Sequence, residues 1–75
     1  MYLKWFLVHG EEIKQKIGNE KLARNFVSGA VISYGEYGGY YCGITKDNLE
    51  TAILYDKHEN FKKILYDKNR GGIQY

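Results

Sequence analysis

The stretch from Leu49 to Lys68, LETAILYDKHENFKKILYDK, contains the internal repeat that decides the fold. The five residues Ile53–Lys57 recur as Ile64–Lys68, and the polar link His58-Glu59-Asn60 follows the first copy. Asn60 is suited to a left-handed turn position, and a short polar link between two β-rich runs is typical of a hairpin. The repeat therefore predicts two antiparallel strands, the first over Leu49 to Asp56.

Cross-strand pairing gives a test of this hairpin. A two-residue turn at Glu59-Asn60 places Ile53 opposite Tyr66, and it also sets opposite charges against each other. A three-residue loop places Leu54 opposite Ile64 and pairs the charges almost as well. Both registers match aromatic or aliphatic side chains across the strands, so the sequence supports the hairpin in either one.

The pattern leaves a helical alternative open for the same stretch. Residues 47–50, Asp-Asn-Leu-Glu, form a capping-box pattern in which a side-chain cap precedes a glutamate by three positions. Two helices would then replace the two strands. We favour the hairpin because Ile-Leu-Tyr flanked by charges on both sides of a turn is more typical of strands.

The N-terminal run Tyr2 to Val8 is rich in aromatic and β-branched residues and ends at His9-Gly10, which favours a buried strand. Helical spacing also passes through this region, so a helix is the alternative; the positions are Leu3, Phe6, Gly10, Ile13 and Ile17. The run is too short and too interrupted to span a membrane, and no small-residue cleavage site follows it. We therefore interpret it as part of the core.

From Glu11 onward the spacing predicts a helix. Two acidic residues in its first turn suit the helix dipole, and an apolar stripe follows at helical spacing. The stripe comprises Ile13, Ile17, Leu22, Phe26 and Val27. Gly18-Asn19 interrupts it, either as a C-cap before a second short helix or as a tolerated weak point. Ser28-Gly29 is expected to end the helical part.

The run from Val31 to Ile44 combines four tyrosines with four glycines. It predicts a hairpin in which Ala30 to Tyr34 pairs with Tyr40 to Ile44. A polar turn at Thr45–Asn48 follows, and Asp67 to Tyr75 is expected to form a turn and a short edge strand or a frayed tail. The fold class expected is α+β, a single domain over residues 1–75. In it an N-terminal helical segment packs on an antiparallel meander of four to five strands.

Composition narrows the classes of function. Eleven basic and nine acidic side chains give a net charge of +2 with interleaved signs, which does not by itself predict nucleic-acid binding. One cysteine, Cys42, excludes an internal disulfide and favours a reducing compartment, the cytoplasm by default. His9, His58 and Cys42 lack the paired spacing of zinc sites, and no phosphate-binding glycine loop precedes a helix. We expect no metal, no cofactor and no catalysis.

Residues 41–50, YCGITKDNLE, with His58 beyond them, resemble the second half of the GIY-YIG nuclease signature. In that family a strand ending in a Tyr-x-Gly-x-Thr run leads into a helix that carries an arginine. Here Thr51-Ala52-Ile53 holds no arginine, Ile32-Ser33-Tyr34 is a poor version of the first tripeptide, and little chain remains for a metal-binding glutamate. We interpret the match as coincidental, and any kinship as one without nuclease activity.

Recognition of another protein is the function that the sequence favours, with the tyrosine-glycine run and the outer face of the repeat hairpin as candidate contact surfaces. Tyrosine dominates binding hot spots, and the candidate contact residues are Tyr34, Tyr37, Tyr40 and Tyr41. The alternative is a small nucleic-acid-binding module in which these tyrosines stack on bases and a basic set contacts phosphates. That set comprises Lys62, Lys63, Lys68 and Arg70. Small size, the lack of catalytic residues and a lysine-rich, proline-free composition typical of AT-rich genomes together suggest an inhibitor of a host or defence complex from a phage or mobile element. Self-association is compatible with the pattern.

Overall fold

A computed structural model describes residues 1–32 and 43–75 of the chain. Its elements in chain order are strand β1 (Tyr2–Leu7), strand β2 (Glu12–Lys16), helix α1 (Glu20–Ile32), strand β3 (Leu49–Tyr55), strand β4 (Phe61–Asp67), a 3-10 turn (Lys68–Arg70) and strand β5 (Gly72–Ile73). The five strands form one antiparallel sheet in the order β2-β1-β3-β4-β5. The α+β class expected from the sequence is confirmed.

The core lies between α1 and one face of the sheet. Side chains alternate along β1, so every second residue is buried. Helix residues with small side chains approach the sheet, and aliphatic residues of β3 and β4 fill the space between them. The fully buried large side chains are Trp5, Leu3, Ile44, Leu49, Leu54, Leu65 and Val27. Among the residues described, α1 is the only helix, and it is not long and apolar enough to cross a membrane.

The N-terminal region confirms one prediction and corrects another. Tyr2–Leu7 is a strand, as favoured, whereas the helix expected from Glu11 is absent because residues 12–16 form β2. Ile13 stands opposite Trp5, and burial along β2 alternates with a period of two. The spacing of Ile13 and Ile17 by four residues fits a strand as well as a helix, which is why the pattern misled.

The helix begins where the sequence suggested an interruption. The side-chain oxygen of Asn19 accepts a hydrogen bond from the backbone N–H of Leu22 at 2.9 Å, which is the geometry of an N-cap. The helix then runs to Ile32, past the end expected at Ser28-Gly29. Its buried residues are Ala23, Val27, Gly29 and Ala30. Small residues at these positions let the helix lie close to the sheet, so Gly29 serves packing rather than termination.

The predicted apolar stripe is therefore only partly correct. Val27 is fully buried and Phe26 packs against the core while half-buried, but the side chain of Leu22 is 43% exposed. The tyrosine-rich hairpin expected over residues 30–44 is wrong at its start, because residues 30–32 are helical. It is wrong at its end too, because Gly43 and Ile44 lie in no strand, and its positions from Ser33 to Cys42 lie outside the described residues.

The β3–β4 hairpin confirms the strand interpretation of the repeat and excludes its helical alternative. The register expected from a two-residue turn is wrong: Ile53 faces Ile64, and Ala52 faces Tyr66. The second pair follows the register of the three-residue loop, and irregularities then shift the pairing along the hairpin. Leu65 is the extra residue between these two pairs, and such a bulge lets Leu65 and Tyr66 both turn towards the core.

The turn between β3 and β4 is organised by Asp56. Its side-chain oxygen Oδ1 accepts backbone N–H groups of His58 at 2.8 Å and Asn60 at 2.9 Å. The residue with positive φ is Glu59, at 62°, and not Asn60 as the sequence suggested. Asn60 therefore closes the turn through its backbone, and Glu59 occupies the left-handed position.

Both flanks of the hairpin match the expected turns. Asn48 organises the turn over residues 45–48: its Oδ1 accepts the backbone N–H of Thr45 at 2.8 Å, and its Nδ2 donates to the carbonyl of Gly43 at 2.7 Å. This turn leads into a strand, so the helix that a GIY-YIG fold requires here is absent. After Asp67, a 3-10 turn leads to β5, so of the two alternatives for this segment the short edge strand is the one that forms.

Candidate functional site on the outer face of the sheet

The face of the sheet opposite α1 carries a row of aromatic and aliphatic side chains. Because residues paired across antiparallel strands share a face, the partners Tyr2, Tyr55 and Phe61 lie side by side, and so do Lys4, Ile53 and Ile64. We call this surface the outer face. It comprises Tyr2, Lys4, Phe6, Lys14, Ile53, Tyr55, Phe61 and Ile64. All of these residues are exposed or half-buried.

Phe61 is the most exposed aromatic side chain of the outer face. It is 60% exposed, and its ring meets that of Tyr55 edge to face, with 6.5 Å between centroids and 85° between planes. Edge-to-face contact of this kind is favourable for two aromatic rings. The contact holds Phe61 in place while most of its apolar surface faces water.

Two lysines of the outer face lie over tyrosine rings. Lys4 Nζ is 4.6 Å from the ring centroid of Tyr55, and Lys14 Nζ is 4.4 Å from that of Tyr2. Both distances are within the range of cation–π attraction. These rings therefore already have an ammonium group over a face.

Glu59 reaches from the β3–β4 turn to both lysines. Its Oε1 lies 2.9 Å from Lys14 Nζ and 3.6 Å from Lys4 Nζ. The hydrogen bond from Lys14 lowers the pKa of Glu59, and the same bond raises the pKa of Lys14. Lys14 and Glu59 thus favour their charged forms together.

The tyrosines predicted from the sequence, Tyr34, Tyr37, Tyr40 and Tyr41, lie outside the described residues. The basic residues predicted as phosphate contacts are described, and they are spread along β4 and beyond it. Lys62 is exposed near the start of this strand, and Arg70 is exposed beyond its end, so a strand about 20 Å long separates them.

The other two predicted basic residues already contact acceptors. Lys63 Nζ lies 3.1 Å from Glu20 Oε2 on the helix side of the sheet, and Lys68 Nζ donates to the carbonyl of Asp47 at 3.4 Å. The fold therefore does not gather the four residues into one patch.

A second polar cluster joins α1 to the end of the chain. Glu20 contacts Lys63 and Arg24, and these two hydrogen bonds lower its pKa. The Arg24 guanidinium lies 5.2 Å from the ring centroid of Tyr75, whose hydroxyl donates to the Arg24 carbonyl at 2.8 Å and also contacts Ser28. These contacts join two separate segments, so we interpret the cluster as a clamp between α1 and Tyr75.

Metal-binding groups are not seen in the described ranges. Residues 1–32 and 43–75 contain no group of three or more His, Cys, Asp or Glu side chains placed to hold a metal ion. His9 pairs with Glu11 at 3.1 Å on the exposed β1–β2 turn, and His58 lies in the β3–β4 turn. These histidines lie in separate exposed turns.

The sequence predicts the part of the outer face that lies on the repeat hairpin, but not the part on β1 and β2, although a signal for β1 exists. Tyr2, Lys4 and Phe6 alternate with buried residues, so a strand covered on one face only would have exposed them. A strand buried on both faces, as the apolar run predicts, would not show this alternation, whereas β1 is buried on one face only. Contact between Glu59 and the two lysines has no local signal, since it joins three separate segments.

Comparisons with protein-family models, curated proteins and solved structures found no match.

Proposed function

We propose that this protein is a non-catalytic recognition module that binds another protein through the outer face. The observation that carries the proposal is the row formed by Tyr2, Tyr55 and the 60%-exposed Phe61. Aromatic side chains supply much of the binding energy at protein interfaces, and solvent exposure of such a ring is unfavourable until a partner covers it. Phe61 is the anchor residue in this proposal.

Electrostatics supports a protein partner over a nucleic acid. Stacking on bases needs free ring faces, whereas Lys4 and Lys14 lie over the rings of Tyr55 and Tyr2. Glu59 also offsets part of their charge, which lowers the attraction of this surface for a polyanion. Blocking the surface of a host or defence complex is the role we propose for such a module, in keeping with its size.

The test is capture of a partner from nuclease-treated lysate of the protein's native cells, at raised salt. Phe61→Asp places a charge in the aromatic row, and Leu22→Asp places the same charge on a comparably exposed position of α1. We expect the wild type and Leu22→Asp to retain the same partner and Phe61→Asp to lose it. Equal capture by both variants would overturn the proposal.

A second arm addresses the nucleic-acid alternative. Fluorescence anisotropy with a single-stranded oligonucleotide is measured for the wild type and for Lys62→Ala with Lys63→Ala. Binding that weakens steeply with salt and depends on these lysines would favour the alternative. Tyr37→Ala in the same capture assay tests the contact tyrosines proposed from the sequence.

A further inference from the structure

One carboxylate oxygen serves two ammonium groups on the outer face. Glu59 Oε1 contacts both Lys14 Nζ, at 2.9 Å, and Lys4 Nζ, at 3.6 Å. Two positive charges and one negative charge leave one positive charge unbalanced within the cluster. The groups beneath it are the aromatic rings of Tyr2 and Tyr55.

The neighbouring charged residues on β2 do not remove this imbalance. Glu12 and Lys16 stand two positions to either side of Lys14, carry opposite charges and are both exposed. The effect of Glu12 on the pKa of Lys14 is smaller than that of Glu59. The cluster therefore carries one positive charge that an additional carboxylate would balance.

The geometry also distinguishes a fixed part of the cluster from a movable one. Lys4 and Lys14 are held on paired strands, where each stands directly opposite the other. Glu59 lies on a turn with φ of 62°, a backbone conformation that glycine or asparagine adopts more readily than glutamate. Strand-held lysines are preorganised for an incoming anion, whereas a turn residue can move aside.

We propose, on the basis of the function proposed above, that the Lys4–Lys14 pair receives an aspartate or glutamate side chain of the partner protein. An apolar side chain next to that acid packs against Phe61 and Tyr55. Glu59 occupies this position in the free protein and yields it on binding. The surface thus selects a partner segment in which an acidic residue adjoins an apolar one, since charge complementarity adds specificity to aromatic contact.

The probe for the test is a capped peptide that alternates aspartate with leucine, compared with its asparagine counterpart by amide chemical-shift titration. We expect the acidic peptide to shift the signals of Lys4, Lys14 and Phe61 and to bind about tenfold more tightly than the asparagine peptide. Lys4→Met with Lys14→Met should abolish that preference. The control pair Lys21→Met with Lys46→Met removes the same charge elsewhere and should retain it.

Glu59→Gln provides the second variant. It removes the internal competitor while both lysines remain, so the acidic peptide should bind several-fold more tightly than to the wild type. Equal affinity for the two peptides, or a preference that survives in the Lys4→Met with Lys14→Met variant, would overturn the inference. Tighter binding of a single-stranded oligothymidylate at the same lysines would overturn it in favour of phosphate. Loss of the captured partner by Phe61→Asp alone, and not by the double lysine variant, would leave the proposed function standing without the acid site.

Discussion

The indole N–H of Trp5 donates to the side-chain oxygen of Gln15 at 3.0 Å. The bond runs between adjacent strands, since Trp5 stands opposite Ile13 and Gln15 stands opposite Leu3. Trp5 is 0% exposed, so water has no access to its polar group. Gln15, on the edge strand β2, thereby supplies a hydrogen-bond acceptor for the buried indole N–H of Trp5, the largest side chain of the core.

Gln15→Leu should destabilise the protein by roughly 1–3 kcal/mol, because it leaves a buried donor without an acceptor. Urea unfolding followed by fluorescence of Trp5, the sole tryptophan, measures the change. Lys16→Ala on the same strand is the control and should alter the free energy of unfolding by less than about 0.5 kcal/mol. Equal effects of the two substitutions would contradict the role given to this bond.

Two leucines allow a matched test of the core. Leu54→Ala should cost roughly 2–5 kcal/mol, since Leu54 is 0% exposed and its removal leaves a cavity. Leu22→Ala removes the same atoms from a 43%-exposed position and should cost clearly less. Chemical denaturation measures the free energy of unfolding of both variants. A larger loss for Leu22 would restore the helical stripe expected from the sequence.

The helix start at Asn19 predicts a capping effect. Asn19→Ala removes the acceptor of the Leu22 N–H and should lower the free energy of unfolding by about 0.5–2 kcal/mol. Asn25→Ala is the control, because Asn25 is exposed within the same helix and should change stability little. The melting temperature of Asn19→Ala should therefore lie below that of Asn25→Ala. Indistinguishable melts would show that the cap contributes nothing.

Stability should fall when the pH drops below about 4. Hydrogen bonds from the backbone N–H groups of Asn60 and His58 lower the pKa of Asp56, and lysine partners lower those of Glu59 and Glu20. A carboxyl group with a lowered folded-state pKa stabilises the fold above its unfolded pKa. That contribution is lost as the pH falls through the folded value, because the unfolded chain binds protons first.

Asp56→Asn checks this assignment, since it removes one of the titrating groups and retains a side-chain oxygen for the turn. The free energy of unfolding, measured by urea titration at a series of acidic pH values, should then fall less steeply than in the wild type. An unchanged slope would exclude Asp56 as a contributor.

Local patterns accounted for the elements whose sequence signals agree with one another. The Ile-Leu-Tyr-Asp-Lys repeat predicted the β3–β4 hairpin, and the aromatic run predicted β1, because strand preference and turn residues coincide there. The register of the β3–β4 hairpin could not be predicted from these local patterns, because a bulge in β4 turns both Leu65 and Tyr66 into the core. Both side chains turn inward because α1 packs against that face of the sheet.

The sequence by itself determined the α+β class and the repeat hairpin, and it left Asp67 to Tyr75 open between a short edge strand and a frayed tail. Only the tertiary structure decided that residues 12–16 form a strand, because Ile13 and Ile17 fit both periodicities and pairing with β1 selected one. Only the tertiary structure also brought together Lys4, Lys14 and Glu59, which come from three segments. Side-chain charges attract over a few ångströms of space whatever their separation along the chain, so no local pattern records such a cluster.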